Sequence, residues 1–229
     1  MLEYSYVILA SSITIFFTSY LLDNLFKIYI IPKARYFLLH FLFNLFIVYV
    51  TYRDTIYYLV HPIILDDYYV KSGIISSSGI MGFHLYHYIS SPLDIETKLH
   101  HIFSAFISAG ISLCYPLGES ISATNFFMCG LPGGIDYLIL VLVKYDKIDK
   151  ITEKYWNRWL NLLIRMPGML LCNWYIILKT YNSSLSKLYI PNLAAFCMSI
   201  NAIYYCNKTV GNYHICQYKK NIKRYESDS

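Results

Sequence analysis

The apolar residues of this chain fall into long runs that are separated by short polar or charged segments. Most runs are roughly 20 residues long, which is the length that an α-helix needs to cross a hydrocarbon core of about 30 Å. The runs that predict membrane-spanning helices cover residues 4–22, 36–52, 73–89, 100–117, 121–143, 159–178 and 188–206. The pattern therefore predicts an all-α fold, a multi-pass transmembrane helical bundle of about seven spans.

Some stretches depart from this pattern. Residues 55–65 are apolar but too short to cross a bilayer, and they contain His61-Pro62, so we expect an interfacial or re-entrant segment. In the fifth run Pro132 is followed by two glycines, which predicts a kinked or unwound helix. We expect a charged loop over 144–158, and a polar, basic tail without regular structure after residue 206.

Composition agrees with a membrane protein and argues against nucleic acid as a partner. Hydrophobic residues make up 56% of the chain and charged residues 14%, against about 25% charged residues in soluble proteins. The net charge of +5 comes from basic residues between and after the apolar runs, whereas a nucleic-acid surface needs them on one folded face. The six cysteines form no Cys-x-x-Cys pair, so we predict neither a disulfide nor a metal site.

The basic residues also predict an orientation. If the N-terminus faces outward and seven spans follow, most of the 19 lysines and arginines lie on the cytosolic side. The C-terminal tail is then cytosolic.

Titratable residues occur inside several of the apolar runs, where an unpaired polar group is costly and often functional. A histidine pair, His100-His101, begins the fourth run. The third run ends near His84 and His87, which are three residues apart and share a helix face. In the predicted topology these histidines lie in one layer near the cytosolic side, together with the charged residues of the fifth and sixth runs, Asp136 and Arg165.

The residues leave three roles open for the histidine pair: a general base or nucleophile, a metal ligand, or a hydrogen-bonded structural pair. Adjacent residues are about 100° apart around a helix, so His100 and His101 do not readily share one metal ion. A metal site would need further carboxylates, and Asp136 is the one at hand inside the spans. We therefore predict no bound metal.

The region around the histidine pair resembles the TLC domain, a family of multi-span endoplasmic-reticulum proteins that includes the ceramide synthases. The resemblance covers residues 66–206. It rests on the approach to the pair, Asp94-Ile95-Glu96-Thr97-Lys98-Leu99-His100-His101, and on Asp136-Tyr137-Leu138-Ile139, about 35 residues later. The span count and the cytosolic tail also agree with this family.

The resemblance implies roles for individual residues. Ceramide synthases use paired histidines and downstream aspartates to transfer an acyl group from acyl-CoA to the amine of a sphingoid base. Matched residue by residue, His100 and His101 correspond to the pair, and Asp136 to the second aspartate of a His-Asp-x-x-Asp element. These three residues are the candidate catalytic residues. Where that element begins with His and Asp, this chain has Pro132 and Gly133.

We therefore expect a TLC-type protein that binds, senses or regulates membrane lipid. Its cavity would be lined by polar residues, namely His84, His87, His100, His101, Asp136 and Arg165. The alternative is a ceramide-synthase-like acyltransferase that uses acyl-CoA as a co-substrate and needs no other cofactor. A channel or transporter is a third class, but the chain shows no inverted repeat and its polar residues cluster on one side.

The resemblance also implies the endoplasmic-reticulum membrane of a eukaryotic cell, and the sequence leaves a homo- or hetero-oligomer open. The predicted organisation has three parts: N-terminal spans with the interfacial segment (1–65), a TLC-like domain (66–206) and a cytosolic basic tail (207–229).

Overall fold

A computed structural model describes residues 2–61, 68–182 and 189–228, apart from a few of their side chains. Nearly all of these residues are helical, and none of them lies in a named β-strand. The all-α prediction is confirmed. The helices without internal irregularity are α1 (Leu2–Tyr29), α2 (Pro32–Val60), α3 (Lys71–Ser90) and α7 (Tyr189–Asp228).

Three further helices are continuous but contain a wider, π-helical segment. This segment is Ile102–Ser108 in α4 (residues 95–114), Phe126–Gly130 in α5 (Glu119–Lys144) and Asn161–Arg165 in α6 (residues 150–182).

In α5 and α6 a proline is the second residue after the π segment, at Pro132 and Pro167. A proline ring clashes with a carbonyl of the preceding turn in a regular α-helix, and the wider π turn relieves this clash. The sequence predicts a helix that is either kinked or unwound at Pro132. The helix is not unwound there.

Local sequence signals set several helix ends. Asp94 and Asp149 cap α4 and α6, because each carboxylate accepts a hydrogen bond from a backbone N–H three residues later. The distances are 2.7 Å from Thr97 and 2.8 Å from Thr152. Gly118 has a φ of +62° and makes the turn between α4 and α5, a conformation that strains any residue with a Cβ atom.

Four helices are long and apolar enough to cross a membrane, namely Tyr4–Tyr29, Pro32–Val60, Glu119–Lys144 and Lys150–Tyr181. Several apolar helices of this kind are consistent with an integral membrane protein. The finer prediction of seven crossings with a TLC-like fold remains a prediction.

Two boundaries differ from the sequence prediction at polar residues that find partners in the fold. α2 continues to Val60, so residues 55–60 form no separate interfacial segment; residues 62–67 lie outside the described part of the chain. Asp54 does not end the helix, because its carboxylate accepts hydrogen bonds from Ser72 of α3 and Ser122 of α5.

The second difference involves the start of α6 and the polar half of α7, which pack together around Arg158. The Cζ atom of Arg158 lies 4.2 Å from the ring centroid of Tyr213 on α7 and 4.8 Å from that of Trp159. Cation–π contacts are worth about 0.5–2 kcal/mol each. Both segments are helical, so the loop predicted over 144–158 is limited to residues 145–149, and the irregular tail predicted after residue 206 is wrong.

Six helices form a closed ring, in which the order of neighbours is α2, α3, α4, α7, α6, α5 and back to α2. α1 packs outside the ring, mainly against α3. Apolar stacking joins α2 to α3, where the rings of Phe43 and Phe83 are 4.0 Å apart. Buried hydrogen bonds join α5 to α3, where Asn125 donates to Ser76 and Ser77 at 2.8 and 2.9 Å.

The contact between α1 and α3 requires a glycine. A Cβ atom on Gly82 would lie 2.2 Å from the carbonyl oxygen of Ser12, and this oxygen belongs to a helix backbone that cannot move by itself. We expect Gly82→Ala to push α1 away from α3 and to lower the free energy of unfolding by about 2 kcal/mol. Thermal unfolding in detergent, followed by tryptophan fluorescence, measures the change.

Gly110→Ala is the matched control, because no described atom lies within 4 Å of its Cβ position. This change should leave the melting temperature unchanged or raise it, since alanine favours a helix over glycine by up to about 1 kcal/mol. Equal melting temperatures for the two variants would contradict the close α1–α3 contact.

Candidate functional site

A cavity of about 400 Å³ lies inside the ring, and all six ring helices contribute residues to its wall. Cavities of this size hold small molecules, including cofactors and parts of lipids. The wall therefore identifies the candidate site.

The wall changes from charged to apolar along the axis of the ring. Short connections make successive helices antiparallel, so the end of α3 and the start of α4 lie at the same end of the ring. We call this the charged end, because Asp94 and Lys208 line the cavity there. The methionine end, deeper in the ring, is lined by Met128 of α5, Met169 of α6 and Met198 of α7.

Two histidines meet in the wall between these ends. The centroids of the imidazole rings of His84 on α3 and His101 on α4 are 4.6 Å apart. Both residues line the cavity. The Nδ1 atom of His84 donates to the carbonyl oxygen of Ile80 at 2.7 Å. His101 is 4% exposed, so a base at this position would act in a site shielded from water. The side chain of His100 lies outside the described part of the structure.

His87 lies behind this wall and not in it. It is 2% exposed, and its ring stacks on that of His40 with centroids 4.3 Å apart. Neither ring nitrogen of His87 has a hydrogen-bond partner among the described residues. His87 is therefore not among the described residues that line this cavity, because a spacing of three residues rotates it about 60° from His84 and toward α2.

We expect His87→Leu to keep the fold and to raise the melting temperature by a few degrees. A buried polar group without a partner costs about 1–3 kcal/mol, and leucine removes this cost at a similar volume. Thermal unfolding in detergent measures the effect. His40→Leu is the comparison, because its Nδ1 atom lies 2.9 Å from the carbonyl oxygen of Tyr36 and that hydrogen bond would be lost. A larger loss of stability in His87→Leu than in His40→Leu would contradict the assignment.

Two opposite charges face the cavity in its middle, Asp136 on α5 and Arg165 on α6. The Oδ1 atom of Asp136 and the Nε atom of Arg165 are buried, and neither has a hydrogen-bond partner in the described structure. Among the described residues, no ion pair within 4.0 Å joins the two side chains. Buried charged groups with unused hydrogen-bonding capacity are suited to a polar ligand that supplies the missing contacts.

A ladder of polar side chains along α6 holds Arg165 toward the cavity. Its Nη1 atom donates to Asn161 at 3.1 Å, and Asn161 donates to the side chain of Asn157 at 2.6 Å. Asn157 in turn lies 3.4 Å from the carboxylate of Glu153, which is 1% exposed and pairs with Lys154 at 2.9 Å. The spacing of four residues puts these groups on one helix face.

The charged end carries an anion and a cation. The pKa of Asp94 lies below its ordinary value, chiefly because of the hydrogen bonds from Thr97 and further because Lys208 is near. Asp94 is therefore ionised at neutral pH. A pair of opposite charges at this end of the cavity suits a zwitterionic or uncharged polar group better than a strongly charged one.

Several wall residues were not predicted. His40 and Asn44 of α2 line the cavity, as do Asn201, Tyr205 and Lys208 of α7. Their signal was present in the sequence, since His40 and Asn44 are four apart inside an apolar run and the α7 residues recur every three or four positions.

Among the described residues, no group of three or more histidines, cysteines or carboxylates is placed to hold a metal ion. The absence of a metal thus remains a prediction.

In comparisons with known proteins, no family model, no curated protein and no solved structure matches this chain.

Proposed function

We propose that this protein is a multi-pass membrane protein of the TLC type that binds a membrane lipid in its central cavity and thereby senses or regulates membrane lipid. The observation that carries the proposal is the divided wall, with Asp94 and Lys208 at one end and three methionines at the other. A lipid has the same division. Its polar head lies between the charged end and Arg165, and its acyl chain extends toward Met128 and Met169, whose flexible side chains adapt to apolar ligands.

The outer surface supports a lipid over a water-soluble ligand. Large apolar residues on the outside of the ring are exposed, among them Leu163 of α6, Leu193 and Phe196 of α7. In a bilayer these side chains contact acyl chains, and the surrounding lipid is itself the supply of ligand. Seven crossings with the charged end on the cytosolic side satisfy the distribution of basic residues. The endoplasmic reticulum is proposed from the TLC resemblance alone.

A second candidate, an acyltransferase of the ceramide-synthase kind, is favoured by one observation: His101 and Asp136 line the same cavity. His101 would take the proton of an attacking lipid amine while the new C–N bond forms and the thioester C–S bond of acyl-CoA breaks. The imidazolium would return this proton to the leaving thiolate, so that the histidine ends neutral. Asp136 would stabilise the imidazolium. The polar coenzyme would remain at the charged end.

The first candidate is tested by measuring the lipid that remains bound after the protein has been exchanged into detergent. Ala202→Phe places a ring inside the cavity, whereas the neighbouring Ile203→Phe places it on the outer face, where residue 203 is 50% exposed. We expect mass spectrometry to find bound lipid in the wild type and in Ile203→Phe, and little in Ala202→Phe. A wild type without lipid, or equal lipid in both variants, would overturn the proposal.

Acyl transfer in microsomes separates the two candidates. Wild type and His101→Ala are incubated with acyl-CoAs and sphingoid bases. Product that is lost in the variant would favour the acyltransferase. Bound lipid without product, from protein that is abundant and folded, would favour a binding protein.

A further inference from the structure

A second, smaller cavity of about 30 Å³ lies deeper in the ring, among α4, α5, α6 and α7. Its apolar wall includes Ile121 of α5, Ile176 of α6 and Ala195 of α7. Its polar wall includes Ser112 and Asn125, whose side-chain donors are already used by the serines of α3: Asn125 donates to Ser76 and Ser77, and Ser112 to Ser77. These two side chains keep their hydrogen bonds when an apolar group is their neighbour. The other hydroxyls in this wall are those of Thr124 and Ser108, and that of Ser108 contacts Met198.

The two cavities are adjacent at Met198. Of the described residues, Met198 is the one that lines both. It lies at the methionine end of the first cavity, and its Sδ atom contacts the hydroxyl of Ser108, which lines the second. Methionine has three rotatable side-chain bonds and packs in several ways. Unlike a helix backbone or a β-branched residue, its side chain can therefore move aside.

We propose that Met198 is a gate that sets the length of the acyl chain held in the cavity. This inference rests on the proposed lipid binding and adds the determinant of chain length. With Met198 in its present position, an acyl chain ends against its side chain. When Met198 rotates away from Ser108, the two cavities join along the axis of the ring, and the end of a longer chain enters the space between Ile121 and Ile176. The preferred ligand is a single-chain lipid or one chain of a larger lipid, because the second cavity is too narrow for two.

Variants of Met198 test the gate with a series of lysophosphatidylcholines that differ only in acyl length and displace a fluorescent lipid probe. Met198→Ala joins the cavities permanently. Each methylene that enters the new space contributes about 0.8 kcal/mol, or about fourfold in affinity. We expect the best-bound chain to become longer by a few carbons, with little change for the short members. Met198→Phe fills the passage, and the best-bound chain should not exceed that of the wild type.

Met169→Ala is the matched control. It removes the same side chain from the wall of the first cavity, but Met169 does not line the second. Because the acyl chain also contacts Met169, this variant enlarges the first cavity by the same volume without opening the second, and it should lengthen the best-bound chain less than Met198→Ala does. Binding with the same length profile in wild type, Met198→Ala and Met198→Phe would overturn the gate while leaving lipid binding intact, and so would an equal shift in Met169→Ala. A folded wild type that binds no member of the series and carries no lipid overturns both proposals.

Discussion

Arg165→Met is expected to lower the free energy of unfolding by about 3 kcal/mol and to weaken lipid binding at least tenfold. The stability loss arises because Asp136, buried in the middle of the ring, loses the opposite charge, so that its carboxylate must stay charged without compensation or take up a proton. The binding loss arises because a hydrogen bond from a charged donor to a ligand contributes about 1.5–3 kcal/mol. Thermal unfolding in detergent measures the first, and displacement of a fluorescent lipid measures the second.

A second substitution separates these two effects. Asp136→Asn in the background of Arg165→Met removes the uncompensated charge, so stability should return most of the way to the wild-type value while binding stays weak. Asn161→Leu is the matched control that separates the position of the guanidinium group of Arg165 from its charge. It keeps Arg165 but removes the hydrogen bond at 3.1 Å that holds its guanidinium, and it should weaken binding less than the loss of the charge does. Full stability of Arg165→Met alone would contradict an electrostatic link between the two residues.

Gly133→Ala is expected to destabilise the protein by about 1–3 kcal/mol, although alanine is the better helix former. A Cβ atom at this position would lie 2.7 Å from the Nδ2 atom of Asn44, which packs against α5 from α2. Gly133→Asp should cost more, because a carboxylate is added to the same crowded place. This result bears on function. An aspartate placed at residue 133, where the ceramide-synthase motif has one, would not reproduce that motif while Asn44 occupies its space.

The adjacent glycine provides the control. A Cβ atom on Gly134 would lie 3.7 Å from the Cβ atom of Asn44, an ordinary contact, so Gly134→Ala should be neutral or stabilising. Asn44→Ala combined with Gly133→Ala should recover much of the lost stability. Apparent melting temperatures of the single and double variants give the coupling energy. Independent effects of the two substitutions would contradict the contact.

The meeting of titratable residues from several helices could be anticipated from the sequence, because charged groups inside apolar runs avoid lipid and turn toward the interior. His84, His101, Asp136 and Arg165 do line one cavity, while their chemical roles remain predictions. The sequence could not provide the rotation of each helix about its own axis. Spacing puts His84 and His87 on one broad face, but a rotation of about 60° separates the cavity from the contact with α2. His40 and Asn44 were not predicted, although they carry the same signal of polar side chains four residues apart inside an apolar run.

The helical class and the approximate positions of the apolar helices could likewise be predicted from run length. The residues at which helices end could not be predicted, because they depend on hydrogen-bond partners that are distant in the sequence. Asp54 reads as the end of an apolar run until Ser72 and Ser122 are seen to hold its carboxylate. Glu153 reads as part of a charged loop, although it is buried at the foot of the ladder that holds Arg165.

The length of α7 has a mechanical consequence. Its 40 residues extend about 60 Å at about 1.5 Å per residue, roughly twice the thickness of a hydrocarbon core. Met198, Asn201 and Lys208 of this helix line the cavity, and its last 20 residues continue about 30 Å beyond it, packed through Tyr213 against Arg158 at the start of α6. α7 is therefore a lever, because a tilt of about 10° at the cavity moves its far end by about 5 Å. A change in the tilt of α7 at the cavity would therefore also displace the start of α6, against which Tyr213 packs.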